Sequence, residues 1–194
     1  VFYGQTGAVD FLTAFDRAEQ TPLLRTEKQL QAYDLIVVGL GTAGAMAAIT
    51  AARMGLSVLG LERLSVMGGT STAGVIQGYY FGSLGGAYEQ LDEKTAEVQK
   101  KDFAFRTPAR EAVWEQAATE AGAELIYNAV VVDVIEDSDR IYGVHAVTDR
   151  EFISVRGRYV LDCTGEGEVC VCAGCDYTTG RTMDQQMQPY TRLE

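Results

Sequence analysis

The chain has 194 residues, 47% of them hydrophobic, so it can bury a sizeable core as one large domain or as a domain with an excursion. Its formal net charge is −11 and no run of Lys or Arg exceeds two residues, which makes nucleic acid a poor partner. No apolar stretch approaches the roughly 20 residues that cross a bilayer, and the first residues lack the pattern of a signal peptide. The sequence therefore predicts a soluble protein that does not contact a membrane.

Residues 1–32 precede the first recognisable strand and are predicted to form an N-terminal extension. Apolar side chains at Val9, Leu12 and Phe15 have the spacing of a short amphipathic helix. This segment either packs on a neighbouring domain or chain or is an appended extension. Because the chain opens on Val1 rather than on Met, a processed or incomplete chain is one interpretation.

A strand, a glycine turn, a helix and a second strand follow one another between residues 33 and 62. The continuous apolar run in 33–39 predicts a parallel strand buried on both faces, the alanine-rich stretch 43–55 predicts a helix, and 56–62 predicts another strand. Three glycines, Gly39, Gly41 and Gly44, lie at the first strand-to-helix junction. This order is that of a unit that binds a dinucleotide.

The chemistry of dinucleotide binding explains why each of these residues is needed at its position. Gly39 permits the sharp turn, Gly41 lets a pyrophosphate approach the backbone, and Gly44 lets helix and strand pack closely. The helix N-terminus offers unpaired N–H groups to phosphates. Glu62 ends the second strand and can accept both hydroxyls of an adenosine ribose, and its charge argues against NADP. The alternative is an ordinary turn between strand and helix.

Residues 62–75 distinguish FAD from NAD. A simple NAD enzyme continues directly into a helix, whereas here Gly68 and Gly69 follow a short gap and are succeeded by three hydroxyl residues, Thr70, Ser71 and Thr72. Backbone N–H groups in such a loop form a second anion cradle. A flexible glycine loop is the alternative interpretation.

The middle of the chain predicts two helices and then a small antiparallel meander. Residues 92–102 are charge-rich and helix-prone, and 107–124 predict a helix with Thr107 as cap, Pro108 at the first position and Gly122 as stop. Short β-rich segments follow, separated by "SDR", "DR" and "GR" turns, and the last one returns to the main sheet. The predicted fold class is α/β: a Rossmann-like FAD-binding domain with a parallel sheet plus a small antiparallel β-meander.

Five segments of the chain occur in a characteristic order: "GLGTAGAMAA", "LERLSVMGGTSTAG", "YYFGSLGGAYEQLDE", "VLDCTGEGEV" and "DQQMQPY". In this order they resemble FAD-dependent oxidoreductases of the glutathione-reductase-like superfamily, and look closest to its broad bacterial FAD-dependent oxidoreductase family. The resemblance runs from about residue 33 to the end, and its first two motifs specify FAD rather than a substrate.

The resemblance implies a set of cofactor-binding residues. The pyrophosphate, the ribose and the adenosine are assigned to Gly39, Gly41, Thr42, Ala43, Gly44, Glu62 and Arg63. The ribityl and flavin side is assigned to Gly68, Gly69, Thr70 and Ser71, and adenine to the backbone near Val131. The turn Cys163, Thr164, Gly165, with Gly167, matches the family except that Cys163 stands where Ala is usual, a near-isosteric change.

Other chemistry-bearing residues are less informative. Cys170, Cys172 and Cys175 offer three close thiols that could bind a metal, but the family places these positions on a helix where small buried residues are usual, so no metal site is predicted. His145, the only histidine, falls in a meander strand and is assigned a structural role. Tyr79 and Tyr80 either line the flavin or a substrate pocket or pack in the core.

The sequence thus predicts a flavoprotein oxidoreductase in which non-covalently bound FAD accepts a hydride from a small organic substrate. No catalytic residue is assigned. Residues 33–194 would form an incomplete FAD-binding domain, because flavoproteins of this plan add a substrate domain and a C-terminal flavin-contacting segment. A second polypeptide in a heteromer would then carry the rest. A non-catalytic FAD-holding or regulatory subunit and an NAD-binding dehydrogenase are the alternatives, and cysteine usage suggests the cytoplasm.

Overall fold

The computed structural model describes residues 27–76, 78, 85–138 and 140–186. The segment around Val9 to Phe15, and Tyr79 and Tyr80, lie outside these residues. In chain order the described elements are β1 (Glu27–Gln29), β2 (Tyr33–Val38), α1 (Thr42–Arg53), β3 (Val58–Leu61), a 3-10 turn (Gly69–Ser71), α2 (Gly86–Asp102), α3 (Arg106–Glu120), β4 (Glu124–Ile126), β5 (Val130–Asp137), β6 (Arg140–Val147), β7 (Phe152–Asp162) and α4 (Glu168–Cys172).

The described strands form one mixed sheet in the order β4-β3-β2-β7-β6-β5, with β1 also paired to β7. β4, β3, β2 and the second half of β7 run parallel to one another. β2 lies in the middle of this layer, and Ile36 and Val37 are fully buried on opposite faces. A central parallel strand covered on both sides explains the continuous apolar run in the sequence. The predicted α/β fold class is confirmed.

β7 joins the parallel layer to the meander. Its first half pairs antiparallel with β6, and its second half pairs parallel with β2. The sequence predicted two segments separated by a turn at Gly157 and Arg158, and this is wrong. Gly157 stays within the strand because it packs against Ile36: a Cβ at Gly157 would lie 2.9 Å from Cγ1 of Ile36.

The start of the described chain also belongs to the sheet. β1 pairs parallel with the first residues of β7, with Glu27 opposite Phe152. Lys28 Nζ donates to Glu151 Oε1 at 3.0 Å. The last residues of the range predicted as an extension therefore lie against the meander.

Three helices cover one face of the parallel layer. Ala45, Ala48 and Ile49 of α1 pack in a single buried cluster with Trp114 of α3 and Leu91 of α2. The predicted cap of α3 is wrong: the helix begins at Arg106 after Phe105, so Thr107 and Pro108 lie within its first turn. A proline is tolerated there because the first N–H groups of a helix have no partner within it.

Candidate functional site

A cavity of about 610 Å³ opens at the carboxyl ends of β2, β3 and β7. Ligands of parallel α/β sheets bind at this edge, and the volume lies within the roughly 300–1,000 Å³ typical of ligand and cofactor pockets. The lining includes the first glycine loop (residues 39–44), the end of β3, the second glycine loop (residues 67–74), the start of β5 and the turn that joins β7 to α4.

In the first glycine loop, close contacts leave no room for a side chain at two of the glycines, whereas the third has free space beside it. A Cβ at Gly44 would lie 1.9 Å from the carbonyl oxygen of Gly39, so helix and strand could not pack as they do. Gly39 has a φ of +83°, and a Cβ there would lie 2.9 Å from the backbone N of Thr164. A Cβ at Gly41 would meet nothing within 4 Å, although Gly41 lines the cavity. The space beside Gly41 is therefore available to a ligand.

The N-terminus of α1 presents donors at this place. Gly41 is the residue before the helix and forms no side-chain cap, and the first turn contains no acidic side chain. The backbone N of Ala45 is the first to bond within the turn, to the carbonyl of Gly41 at 2.9 Å. The N–H groups of Thr42, Ala43 and Gly44 precede it and have no acceptor within the helix. Together with the helix dipole, these donors favour an anion at the end of α1.

The second glycine loop lies directly against the first. Gly41 and Gly68 form an isolated parallel bridge, and a Cβ at Gly69 would lie 3.0 Å from Cα of Gly41. The hydroxyl oxygens of Thr42 and Ser71 are 2.8 Å apart. The two loops therefore form one continuous wall of the cavity.

A buried arginine supports the second glycine loop from behind. Arg110 of α3 is 1% exposed, and its Nη1 donates to the carbonyl of Ser71 at 3.0 Å. Its Nη2 donates to Asp92 Oδ1 at 2.9 Å, and Arg106 Nη2 donates to Asp92 Oδ2 at 2.7 Å. Burial raises the pKa of Asp92, but the hydrogen bonds from both arginines outweigh this and lower the pKa overall. This network ties α2 and α3 to the cavity wall.

Glu62 lines the cavity and also holds the backbone of two neighbouring loops by hydrogen bonds. It is 5% exposed, its Oε2 accepts from the backbone N of Leu40 at 2.6 Å, and its Oε1 accepts from the backbone N of Leu64 at 2.8 Å. A carboxylate oxygen has capacity for more than one donor. Glu62 therefore fixes the first glycine loop and retains acceptor capacity for ligand hydroxyls.

Charged side chains gather where α4 meets the end of β3. Arg63 Nη1 lies 3.3 Å from Glu168 Oε1 and 3.5 Å from Glu166 Oε2. The Arg63 side chain is half exposed, so these pairs contribute little to stability. They do orient Arg63, which lines the cavity together with both glutamates.

The turn after β7 is held by Asp162. Its Oδ1 accepts from the backbone N and hydroxyl of Thr164 at 3.0 and 2.7 Å, and its Oδ2 accepts from the backbone N of Val169 and Cys170 at 2.9 and 3.1 Å. Burial raises the pKa of Asp162, but the hydrogen bonds from Thr164 and Cys170 lower it by more, so the pKa lies below its ordinary value. Asp162 is ionised at neutral pH and fixes a turn that lines the cavity.

Comparison with known proteins places this geometry in a family. A family model described as FAD dependent oxidoreductase matches residues 34–193. The chain belongs to this family. Its cofactor is therefore FAD, and the open space beside Gly41, next to the N-terminal N–H groups of α1, fits the pyrophosphate of that cofactor.

Two curated relatives show how far the similarity extends. The chain is 32% identical over 153 residues to the thiamine thiazole synthase of Aeropyrum pernix, covering 70% of this chain and 56% of the relative. It is 30% identical over 168 residues to digeranylgeranylglycerophospholipid reductase 1 of Methanococcoides burtonii, covering 74% of this chain and 40% of the relative. The chain thus spans about half the length of the curated relatives it matches.

Solved structures share the fold. A geranylgeranyl bacteriochlorophyll reductase-like protein of Thermoplasma acidophilum superposes with a TM-score of 0.54 at 20% identity, covering 76% of this chain and 43% of that one. THI4 of Thermovibrio ammonificans gives a TM-score of 0.52 at 18% identity, covering 89% of this chain and 70% of that one. At these identities the likeness shows the fold alone.

The cavity brings together twelve of the sixteen residues assigned to the cofactor from the sequence. They are Gly39, Gly41, Thr42, Ala43, Glu62, Arg63, Gly69, Thr70, Val131, Cys163, Thr164 and Gly165. The other four do not line it: Gly44 packs against Gly39, Gly68 bridges to Gly41, Ser71 lies between Thr42 and Arg110, and Gly167 precedes α4 with a φ of +70°. These four shape the walls from behind.

The remaining candidates lie elsewhere. His145 is in β6, where its Nδ1 is 2.7 Å from the hydroxyl of Ser154 and its ring stacks on Phe152. Cys170 and Cys175 are exposed rather than buried as the family pattern suggested. In the part of the chain that the structure describes, no group of three or more His, Cys, Asp or Glu side chains could hold a metal ion.

One further finding concerns membranes. Within the described ranges, no helix has both the length and the apolar character needed to span a bilayer.

Proposed function

We propose that this chain is the FAD-binding part of a flavoprotein oxidoreductase of the glutathione-reductase-like superfamily. Its reaction would be the transfer of a hydride from a small organic substrate to FAD. The observation that carries the proposal is the first glycine loop, in which Gly39 and Gly44 are closed by contacts and Gly41 is open towards the cavity.

Different residues of the cavity would bind different parts of FAD. Gly41, Thr42 and Ala43 would hold the pyrophosphate through backbone N–H groups at the start of α1. Glu62 would accept the hydroxyls of the ribose, with Arg63 near the adenosine. The second glycine loop would face the ribityl chain and the flavin ring.

The adenine would lie at the opposite wall. Val131 is buried at the start of β5 and lines the cavity, and Cys163, Thr164 and Gly165 approach from the turn after β7. A Cβ at Gly165 would meet nothing within 4 Å, so this turn, like Gly41, leaves room for a ligand. Residues 33–194 are accordingly proposed as one FAD-binding domain that is incomplete without a substrate domain and a further flavin-contacting segment.

The cofactor, when bound, supplies the hydride acceptor, and the protein supplies position and electrostatics. We propose non-covalent binding, because the described residues that line the cavity include neither His nor Tyr, and the Cys163 thiol is half-buried with its Cβ against Gly44. Burial and the charge of Asp162 also raise the pKa of the Cys163 thiol, which disfavours the nucleophilic thiolate. Acid precipitation of the holoprotein should leave a colourless pellet.

The proposal includes a second polypeptide or a further segment that binds the substrate and completes the flavin site. The chain spans only 56% and 40% of two curated relatives, and no residue of the cavity has been assigned as a catalytic base. A heteromer is the proposed assembly, and the cytoplasm is its proposed location because three of the four cysteines crowd into "CVCAGC" rather than forming a disulfide framework.

Substitution of Gly41 by Val tests the assignment. The Gly41 backbone, at φ −60° and ψ −169°, accepts a side chain, and the new methyl groups would occupy the space proposed for the pyrophosphate. Thr50→Val, at an exposed position of the same helix, is the matched control. We expect Gly41→Val to unfold like the wild type but to lose FAD binding by at least 100-fold, about 2.7 kcal/mol, while Thr50→Val binds normally.

Two outcomes would count against the proposal. Equal FAD affinity in Gly41→Val and wild type would refute the placement of the pyrophosphate. A holoprotein whose flavin absorbance near 450 nm persists with every donor tried under anaerobic conditions would instead favour a non-catalytic FAD-holding subunit.

A further inference from the structure

The segment "CVCAGC" closes α4 with a defined turn. The backbone N of Cys175 donates to the carbonyl of Cys170 at 3.0 Å, and the backbone N of Gly174 donates to the carbonyl of Val171 at 3.0 Å. Gly174 has a φ of +72°. This pair of bonds around a left-handed glycine is the Schellman motif.

In a Schellman motif, two side chains are frequently in contact. They belong to the residues whose backbones form the outer hydrogen bond, and these are usually apolar. Here both are cysteines, Cys170 and Cys175, and both are exposed and free. A disulfide needs Cα atoms within about 7 Å, a separation that a turn closed in this way provides.

The other two cysteines are placed differently. Cys172 is half-buried and packs with Ala173 against a buried apolar cluster that includes Val144 of β6 and Val155 of β7. Residues two apart on a helix do not face each other, so Cys172 lies on a different side of α4 from Cys170. Cys163 is half-buried, and its Cβ lies 3.0 Å from where a Cβ at Gly44 would stand. Solvent reaches the thiols of Cys170 and Cys175 most readily, and these are the two that the turn brings together.

We propose that Cys170 and Cys175 form a dithiol–disulfide site that is oxidised by low-molecular-weight disulfides such as oxidised glutathione. The site is independent of the proposed flavin reaction. In a reducing compartment the pair is a dithiol, and oxidation converts the hydrogen-bonded end of α4 into a covalent ring.

The oxidation is two successive thiol–disulfide exchanges. The thiolate of one of the two cysteines attacks one sulfur of oxidised glutathione, forming a mixed disulfide and releasing one glutathione thiolate. The thiolate of the other cysteine then attacks the protein sulfur of the mixed disulfide, and the second glutathione thiolate leaves. The protein gives up two electrons, which reduce one glutathione disulfide to two thiolates, and the two protons released by the protein thiols convert these thiolates to thiols.

The test is oxidation of the whole holoprotein with oxidised glutathione, followed by alkylation of remaining thiols and mass spectrometry. Trypsin alone leaves all four cysteines in one peptide, residues 159–181, so a Glu-specific protease is added to separate Cys163 by cleavage after Glu166 and Glu168. The peptide 169–181 should lose two hydrogen atoms and gain no alkyl group at Cys170 or Cys175.

Matched variants decide which thiols react. Cys172→Ala should lose two hydrogen atoms like the wild type, whereas Cys170→Ala and Cys175→Ala should not, and should instead retain one glutathione as a mixed disulfide. Because Cys170 and Cys175 are exposed, their substitution should preserve the fold and FAD binding. Wild-type protein that stops at the mixed disulfide, stays fully reduced, or forms a bridge through Cys172 or Cys163 would overturn the proposal.

Discussion

The first glycine loop keeps its shape mainly through contacts between backbone atoms, whereas the second is held by hydrogen bonds from side chains to its carbonyl groups. In the first, Gly44 lies against the carbonyl of Gly39, and Gly39 against the backbone of Thr164. In the second, Arg110 binds the carbonyl of Ser71, and the Thr72 hydroxyl donates to the carbonyl of Met67 at 2.6 Å. The first loop thus depends on the absence of side chains at Gly39 and Gly44, and the second depends in addition on the side chains of Arg110 and Thr72.

The difference has a consequence for substitution. The first loop should fail when a single methyl group is added at the wrong glycine, because backbone atoms cannot move aside cheaply. The second should weaken in steps as its supporting hydrogen bonds are removed one at a time, even from a distance.

Gly44→Ala should have the largest effect. The added Cβ would lie 1.9 Å from the Gly39 carbonyl, so α1 must move away from β2, at a cost of about 3 kcal/mol in the free energy of unfolding. Gly41→Ala, the same change where nothing lies within 4 Å, should stay within about 0.5 kcal/mol of the wild type. Urea denaturation of both apoproteins measures this, and equal stabilities would show that the first loop is not held by backbone contact.

Arg110→Met should come next. It removes the donor to Ser71 and one partner of Asp92, which costs about 2 kcal/mol of stability. FAD affinity should fall about tenfold, or about 1.4 kcal/mol, because the second loop loosens. Arg106→Met is the control, since it also removes a hydrogen bond to Asp92 but leaves the bond from Arg110 to the Ser71 carbonyl in place. The same loss of affinity in both variants would assign the effect to Asp92 rather than to the loop.

Glu62→Gln should lower the stability by an amount between those of Arg110→Met and Thr42→Val. Both carboxylate oxygens accept backbone N–H groups, from Leu40 and Leu64, and a Gln amide would present its NH₂ to one of these donors. The expected loss is about 1 to 2 kcal/mol in stability, with a weaker FAD complex. The proposed hydrogen bonds from the ribose hydroxyls to Glu62 would also lose the contribution of the carboxylate charge. Titration with FAD and thermal unfolding check it, and unchanged stability would show that the Leu40 and Leu64 contacts do not matter.

Thr42→Val should have the smallest effect. It should lower the free energy of unfolding by about 1 kcal/mol, because it removes one hydrogen bond between hydroxyl groups of the two loops. Ser71→Ala should cost a similar amount, and the double variant should cost less than the sum of the two. Thr42→Ser retains the hydroxyl and serves as control. Additive losses in the free energy of unfolding would mean that the two hydroxyls do not interact.

The first glycine loop could be predicted because its determinants lie within a few residues of sequence. Gly39, Gly41 and Gly44 each have a role that follows from strand, turn and helix succeeding one another. Glu62 also follows from this order, since it ends the adjacent strand. Its hydrogen bonds to Leu40 and Leu64 were not foreseen, because they depend on how closely the loops pack.

The support of the second loop could not be predicted in the same way. Arg110 and Ser71 are 39 residues apart, and Arg110 and Asp92 lie on different helices, so no local pattern connects them. Asp162 was likewise overlooked within "VLDCTGEGEV", although an Asp before a Thr-Gly turn is a known acceptor of backbone N–H groups. The turn expected at Gly157 was wrong because glycine there serves packing against Ile36.

The length of β7 has a consequence for how the molecule opens. Its 11 residues run without a break from the meander into the parallel layer, bonded to β6 in the first half and to β2 in the second. Neither half of the sheet can separate without disturbing a strand that the other half shares. Amide hydrogens of β2, β6 and β7 should therefore exchange with solvent in one cooperative event, whereas the exposed residues after α4 exchange independently.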